Sequence, residues 1–194
     1  LHAHTSSRWG RVAHPVRRTP AEYLLHTLRD ELHFYLRKTQ RRFGFHFEPE
    51  DQADLWNSFE RAAIELLSDV AEPFRLIHGD VHFRNFLRTD DGRFYLVDFV
   101  TVRYDLAGWE IIKGALAFSR TGYESCPLVW KAYFERAGEE RWHQFQKGAG
   151  LALARCGLRE LAHRRALTSL TRAEITPALL VEWLQRLIAH APEL

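Results

Sequence analysis

The stretch from His78 to Leu87, His-Gly-Asp-Val-His-Phe-Arg-Asn-Phe-Leu, constrains this chain more than any other part of it. Two histidines, an aspartate, an arginine and an asparagine crowd together with no helical or alternating period, so the segment reads as a loop. Phe74 to Ile77 is a short apolar run before it, and Asn85-Phe86-Leu87 is a second extended candidate at its end. Asp90-Asp91-Gly92 then signals a turn, and Arg93 to Phe99 reads as a buried strand. The expected local structure is a loop followed by a small hairpin. Such a hairpin returns the chain to its starting point, which brings Asp98 back toward Asp80 and Asn85.

On both sides the pattern is helical. The first 18 residues lack a sustained period and contain Gly10 and Pro15, which suggests a loop or an incomplete helix. Thr19-Pro20-Ala21-Glu22 is a capping-box start, and Leu24, Leu25, Leu28, Leu32, Tyr35 and Leu36 follow at helical spacing up to a stop at Gly44. A second amphipathic helix is expected from about Glu50 to Val70, with Leu55, Phe59, Ala62, Ala63, Leu66 and Leu67 on one stripe. Beyond Gly108 one helix starts at Ile111, another opens at Pro127, and a long one covers about Glu139 to Ala166. Thr176-Pro177 begins the last. The expected class is mainly α with a small β-hairpin.

Composition narrows the function classes. An aromatic content of 13% excludes a disordered chain. No apolar run approaches the ~18 residues of a membrane helix, and no signal-like start is present, so a cytoplasmic protein with no membrane partner is expected. Cys126 and Cys156 give neither a disulfide framework nor zinc spacing and suit a reducing compartment. Residues 1–42 are basic, including Arg37, Lys38, Arg41 and Arg42. With no nucleic-acid motif beside them, these charges read as a solvated helix face and a helix C-terminus. The chain has no Met and opens at Leu1, which leads to the expectation that it begins inside a longer protein.

Phosphoryl transfer from a nucleotide needs a carboxylate to take the proton of the attacking hydroxyl, and oxygen ligands for Mg²⁺ on the triphosphate. Asp80 with Asn85 five residues later lets one loop supply both, and Asp98 at the end of the hairpin's second strand is then expected to face the same metal. A competing zinc reading of His78 and His82 needs a helix through Gly79 and a third ligand, neither of which the sequence offers.

The string HGDVHFRNFL followed by LVDF resembles the catalytic and metal-binding motifs of aminoglycoside phosphotransferase-like and choline kinase-like small-molecule kinases. Their pattern is His-Gly-Asp-x-His-x-x-Asn, a hairpin, then an apolar pair before Asp-Phe or Asp-Trp. The resemblance implies the C-terminal lobe of a protein kinase-like α+β fold, with the loop and hairpin at about 74–100 and a helical substrate-side region at about 108–194. It implies ATP and Mg²⁺ as cofactors, a small-molecule hydroxyl as acceptor, Asp80 as catalytic base, and Asn85 and Asp98 as Mg²⁺ ligands. Leu87 and Val97 would form the apolar floor beneath the adenine, and His78 and His82 would shape the loop. Either Asp105 or Glu110 would brace that loop, and Leu1-His2-Ala3-His4 resembles the tail of the helix after the interlobe hinge.

Two departures accompany the likeness. Val100 stands where relatives commonly carry Glu, Asp or Gly, and no Gly-rich phosphate motif or strand Lys precedes Asp80; Lys38 lies in a helical pattern. The N-terminal lobe is therefore expected to be absent from this sequence, and the expected partner is that missing lobe or a protein covering its surface. The alternative to a kinase is a catalytically incompetent remnant that acts as a binding module.

Overall fold

The computed structural model describes residues 5–6, 9–11, 14–16, 20–69, 74–118, 126–163 and 176–189. Six helices carry most of it: α1 (Pro20–Phe43), α2 (Pro49–Asp69), α3 (Ala107–Phe118), α4 (Cys126–Ala137), α5 (Glu139–Ala162) and α6 (Pro177–Ala189). Their ends follow the sequence signals. Gly44 takes φ +77° after α1, Glu50 and Asp51 fill the first turn of α2, and the Thr176 hydroxyl accepts the Leu179 N–H at the start of α6. Thr19, the expected cap of α1, and the Leu1–His4 segment lie outside the described residues.

The β content exceeds a hairpin. Strands β1 (Thr5–Ser6), β2 (Trp9–Arg11), β3 (His14–Val16), β4 (Phe74–Ile77) and β7 (Arg103–Leu106) form one antiparallel sheet in the order β1-β4-β7-β2-β3. This corrects the loop or incomplete helix expected for the first 18 residues: short stretches there pair their backbones with β4 and β7, Thr5 opposite Arg75 and Gly10 opposite Tyr104. Strands of two or three residues carry too little pattern to be read one at a time. The expected hairpin is a separate two-stranded sheet, β5 (Phe86–Arg88) with β6 (Phe94–Leu96), in the register Phe86 opposite Leu96 and Leu87 opposite Tyr95. Its second strand is not buried. Phe94 is 68% exposed and Tyr95 stands out in solvent, so apolar composition there does not mark a core position.

The core lies among the helices, with α5 at its centre. From Gly148 to Leu158 every residue of α5 is buried, flanked by α1, α2, α3, α4 and α6. A run of small residues, Gly148-Ala149-Gly150-Leu151-Ala152-Leu153-Ala154, makes that possible, because neighbours can approach on all sides. At Gly150 a Cβ would sit 2.5 Å from the Ile188 carbonyl oxygen of α6. Leu24, Leu28, Leu55, Phe59, Ile112 and Leu184 complete the interior, each large side chain adding about 1.5–3 kcal/mol by burial. Cys156 belongs to this core; burial pushes its thiol up to about 12, far from a reactive thiolate. No helix among the described residues is long and apolar enough to cross a membrane.

Candidate active site

β4 ends at Ile77, and the next residues form a loop stitched to its neighbours by its own side chains. Gly79 takes φ +82°, and a Cβ there would lie 2.6 Å from the Thr101 carbonyl oxygen, so only glycine fits. The His78 ring spans two segments: its Nε2 is 2.9 Å from the Val97 carbonyl, and its Nδ1 accepts the Asp80 N–H at 3.3 Å. Since a carbonyl can only accept, Nε2 is the donor to Val97 while Nδ1 is the acceptor from Asp80. The Thr101 hydroxyl donates to the His78 carbonyl at 2.8 Å, and the Phe99 ring meets the His78 ring edge-on at 4.7 Å. Further on, the Asn85 amide donates to the Asp80 carbonyl at 2.9 Å and closes the loop across a 3-10 turn, Phe83–Asn85.

Asp80 stands at the mouth of this loop with its side chain 38% exposed. Lys113 of α3 lies 2.9 Å from Oδ1 and donates also to the Gly79 carbonyl at 2.8 Å. His82 Nε2 is 3.3 Å from Oδ2, while its Nδ1 accepts the Arg84 N–H at 3.2 Å. Burial pushes the Asp80 carboxyl up, but the Lys113 bond and charge, with His82, outweigh it and hold it below the ordinary range. Burial in turn pushes Lys113 down, which Asp80 opposes. The carboxylate is therefore ionised and oriented at neutral pH.

Asn85 and Asp98 are brought close through the backbone: the Val97 N–H donates to the Asn85 carbonyl at 2.9 Å, one residue before Asp98. Asp98 takes φ 65° and ψ 62°, the single non-glycine residue with positive φ among those described, and its carboxylate caps no helix. A left-handed residue of this kind costs about 1–2 kcal/mol and tends to occur where function demands it. The donor set suits Mg²⁺, which takes hard oxygen ligands and usually gets only one or two from protein, the rest from phosphate and water. Asn85 commits its NH₂ to Asp80 and keeps its amide oxygen, and Asp98 offers a carboxylate. Among the described residues no cluster of three His, Cys, Asp or Glu could cage a metal, and Gly79 breaks any helix between His78 and His82. Backbone parity puts Leu87, Tyr95 and Val97 on one face of the hairpin, with Leu87 and Tyr95 exposed.

Residues 13–146 match the phosphotransferase enzyme family. The chain belongs to that family. No curated protein and no solved structure gives a significant match.

Within this phosphotransferase-family chain, Glu110 and Asp105 do different things. Glu110, in the first turn of α3, accepts the Gly79 N–H at 2.7 Å. Asp105 lies in β7, fully buried, and accepts from Arg103 at 3.0 Å, Arg155 at 3.3 Å and the Leu106 N–H at 2.8 Å. Of the two, Glu110 reaches the loop, while Asp105 ties β7 to α5. Arg155 extends that tie to α1 through Glu31, at 2.7 Å, and lies over the Trp109 ring at 4.0 Å. The family chain also holds a loop-facing residue that sequence reasoning missed, Lys113. Its signal was its place three residues after Glu110, on the helix face that also sets Gly114 against Val81. Two cavities, of about 30 and about 210 Å³, are lined by residues outside the 78–101 segment, such as Arg75 and Tyr133 or Asp69 and Lys147.

Proposed function

We propose that this protein transfers the γ-phosphoryl group of ATP to a hydroxyl of a small molecule, with Asp80 as the base. The reading rests above all on Asp80: an ionised, partly exposed carboxylate at the end of a loop bonded to the segment that carries Asp98. In this scheme the acceptor hydroxyl approaches Oδ2, the oxygen not held by Lys113, and gives up its proton there as its oxygen bonds to the γ-phosphorus. The bond from that phosphorus to the β–γ bridging oxygen breaks, and ADP leaves. A carboxylate held below the ordinary range is a weak base, which suits a loose transition state in which aim matters more than proton affinity. Asn85 and Asp98 would hold Mg²⁺, which when bound neutralises charge on the triphosphate. Leu87 and Val97 would line the adenine face of the hairpin.

The same reading makes the chain the C-terminal lobe of a kinase-like fold, with loop and hairpin at about 74–100 and the substrate side in the helices beyond 108. The hairpin and the turn after it expose Leu87, Phe94, Tyr95, Phe99 and Val100, the last at 77%. A nucleotide with the N-terminal lobe would cover such a surface. That exposure also favours a second reading, a module that binds a protein there without turnover. Asp80→Ala is the test of the first. It is expected to lower Mg·ATP-dependent phosphorylation by about 10²–10⁴ while the circular dichroism spectrum stays native. Turnover near that of the wild type would remove the assignment. Calorimetry with Mg·ATP separates the second reading: micromolar affinity speaks for the kinase, and no heat speaks for the protein-binding module.

A further inference from the structure

We propose that Lys113 is the positioning residue for the Asp80 carboxylate, clamping Oδ1 from the protein side so that only Oδ2 faces the acceptor. The proposal rests on the phosphotransferase reading and adds to it a residue outside the loop and hairpin motifs. Three observations carry it. Lys113 has only 13% of its side chain exposed against 38% for Asp80, so it approaches from within. Its ammonium reaches Oδ1 at 2.9 Å and the Gly79 carbonyl at 2.8 Å, so two acceptors from adjacent residues fix where it sits. Its helix is itself fixed to the loop, one turn earlier by the Glu110–Gly79 bond at 2.7 Å and one residue later by Gly114 under Val81.

A carboxylate left to rotate about its χ2 bond presents either oxygen, in a range of directions. With Oδ1 taken by a buried ammonium, rotation would break a charge-assisted bond, and the site keeps one oriented acceptor. The neighbouring His82 sits on the Oδ2 side, on a more exposed side chain that can yield to an incoming hydroxyl.

The test has two arms. In the first, the four lysines of the full chain are acetylated at limiting reagent and counted by mass spectrometry, in wild type and in Asp80→Asn. Lys113 should react several-fold more slowly than exposed Lys131 and Lys147 in the wild type, and faster once the carboxylate is neutral. Equal labelling of Lys113 in both proteins overturns the clamp whatever the activity. In the second, Mg·ATP turnover is followed with water as acceptor. Lys113→Met should cut kcat by about 10²-fold, the loss that misplacing a reacting group by an ångström brings. The ATP KM should stay near wild type, and Lys113→Arg should recover part of kcat. Unchanged kcat in Lys113→Met overturns the proposal alone, and so does a KM that rises in step with the fall in kcat, which would make Lys113 a nucleotide ligand. A wild type with a protected Lys113 that neither binds nor turns over Mg·ATP overturns the phosphotransferase reading, and the positioning role with it.

Discussion

Glu110 and Lys113, one turn apart on α3, hold the two backbone polar groups of Gly79 between them: Glu110 accepts its N–H at 2.7 Å and Lys113 donates to its carbonyl at 2.8 Å. Gly79 is buried and takes a backbone angle that prevents either group from joining a regular helix or strand ladder. Side chains must therefore satisfy both. The helix thus supplies by i, i+3 spacing what a sheet partner would have supplied by register.

Glu110→Ala leaves the Gly79 N–H without that acceptor inside the protein, which costs about 1–3 kcal/mol. Glu110→Gln keeps an acceptor oxygen in place and should recover most of the loss. Thermal unfolding followed by circular dichroism is expected to rank wild type, Gln and Ala in that order of stability. An alanine variant as stable as the glutamine variant would show that the bond contributes nothing.

The α5–α6 contact gives a second prediction. Replacing a helical glycine by alanine ordinarily gains about 1 kcal/mol through backbone entropy. At Gly150 the new methyl would stand 2.5 Å from the Ile188 carbonyl and 2.8 Å from that of Leu187. Those atoms are backbone, so α6 itself has to move, and overpacking of this kind costs about 1–3 kcal/mol. The clash outweighs the propensity gain, and Gly150→Ala should lower the urea midpoint. A rise in the midpoint would show that α6 shifts without loss.

Much of this architecture was legible because its signals are local. The ends of α1, α2 and α6 follow from Gly44, from Glu50 and Asp51, and from Thr176, each acting within a turn of its helix. The loop was legible because Asp80, Asn85 and Asp98 keep their spacing whatever surrounds them. What escaped depends on distant partners. Arg103-Tyr104-Asp105-Leu106 looks too charged for an inner strand, and becomes one because Arg155, fifty residues later, neutralises Asp105. Lys113 looks like the polar side of an amphipathic helix until Gly79 and Asp80 are laid against it. Phe94 and Tyr95 mislead in the other direction: apolar character predicts a buried strand, and the hairpin leaves both in solvent.

Asp105 supplies a pH-dependent prediction. Burial raises its pKa, but Arg155 and Arg103, with the Leu106 N–H, outweigh that and hold it below the ordinary range. A group whose folded pKa is depressed stabilises the fold fully above its unfolded value of about 3.9 and loses that contribution as pH falls through the folded value. Asp105→Asn removes the charge at all pH values and leaves Arg155 still paired with Glu31. Breaking a buried pair costs about 3–5 kcal/mol, and the remaining Glu31 contact puts the expected loss near the lower end. Urea unfolding from pH 7 down to pH 3 should show the variant's deficit at its largest near neutrality. Below the ordinary carboxylate range the deficit should narrow, because the wild type then loses the same charge. A deficit that stays constant across the whole range would mean that the Asp105 charge does not stabilise the junction of β7 and α5.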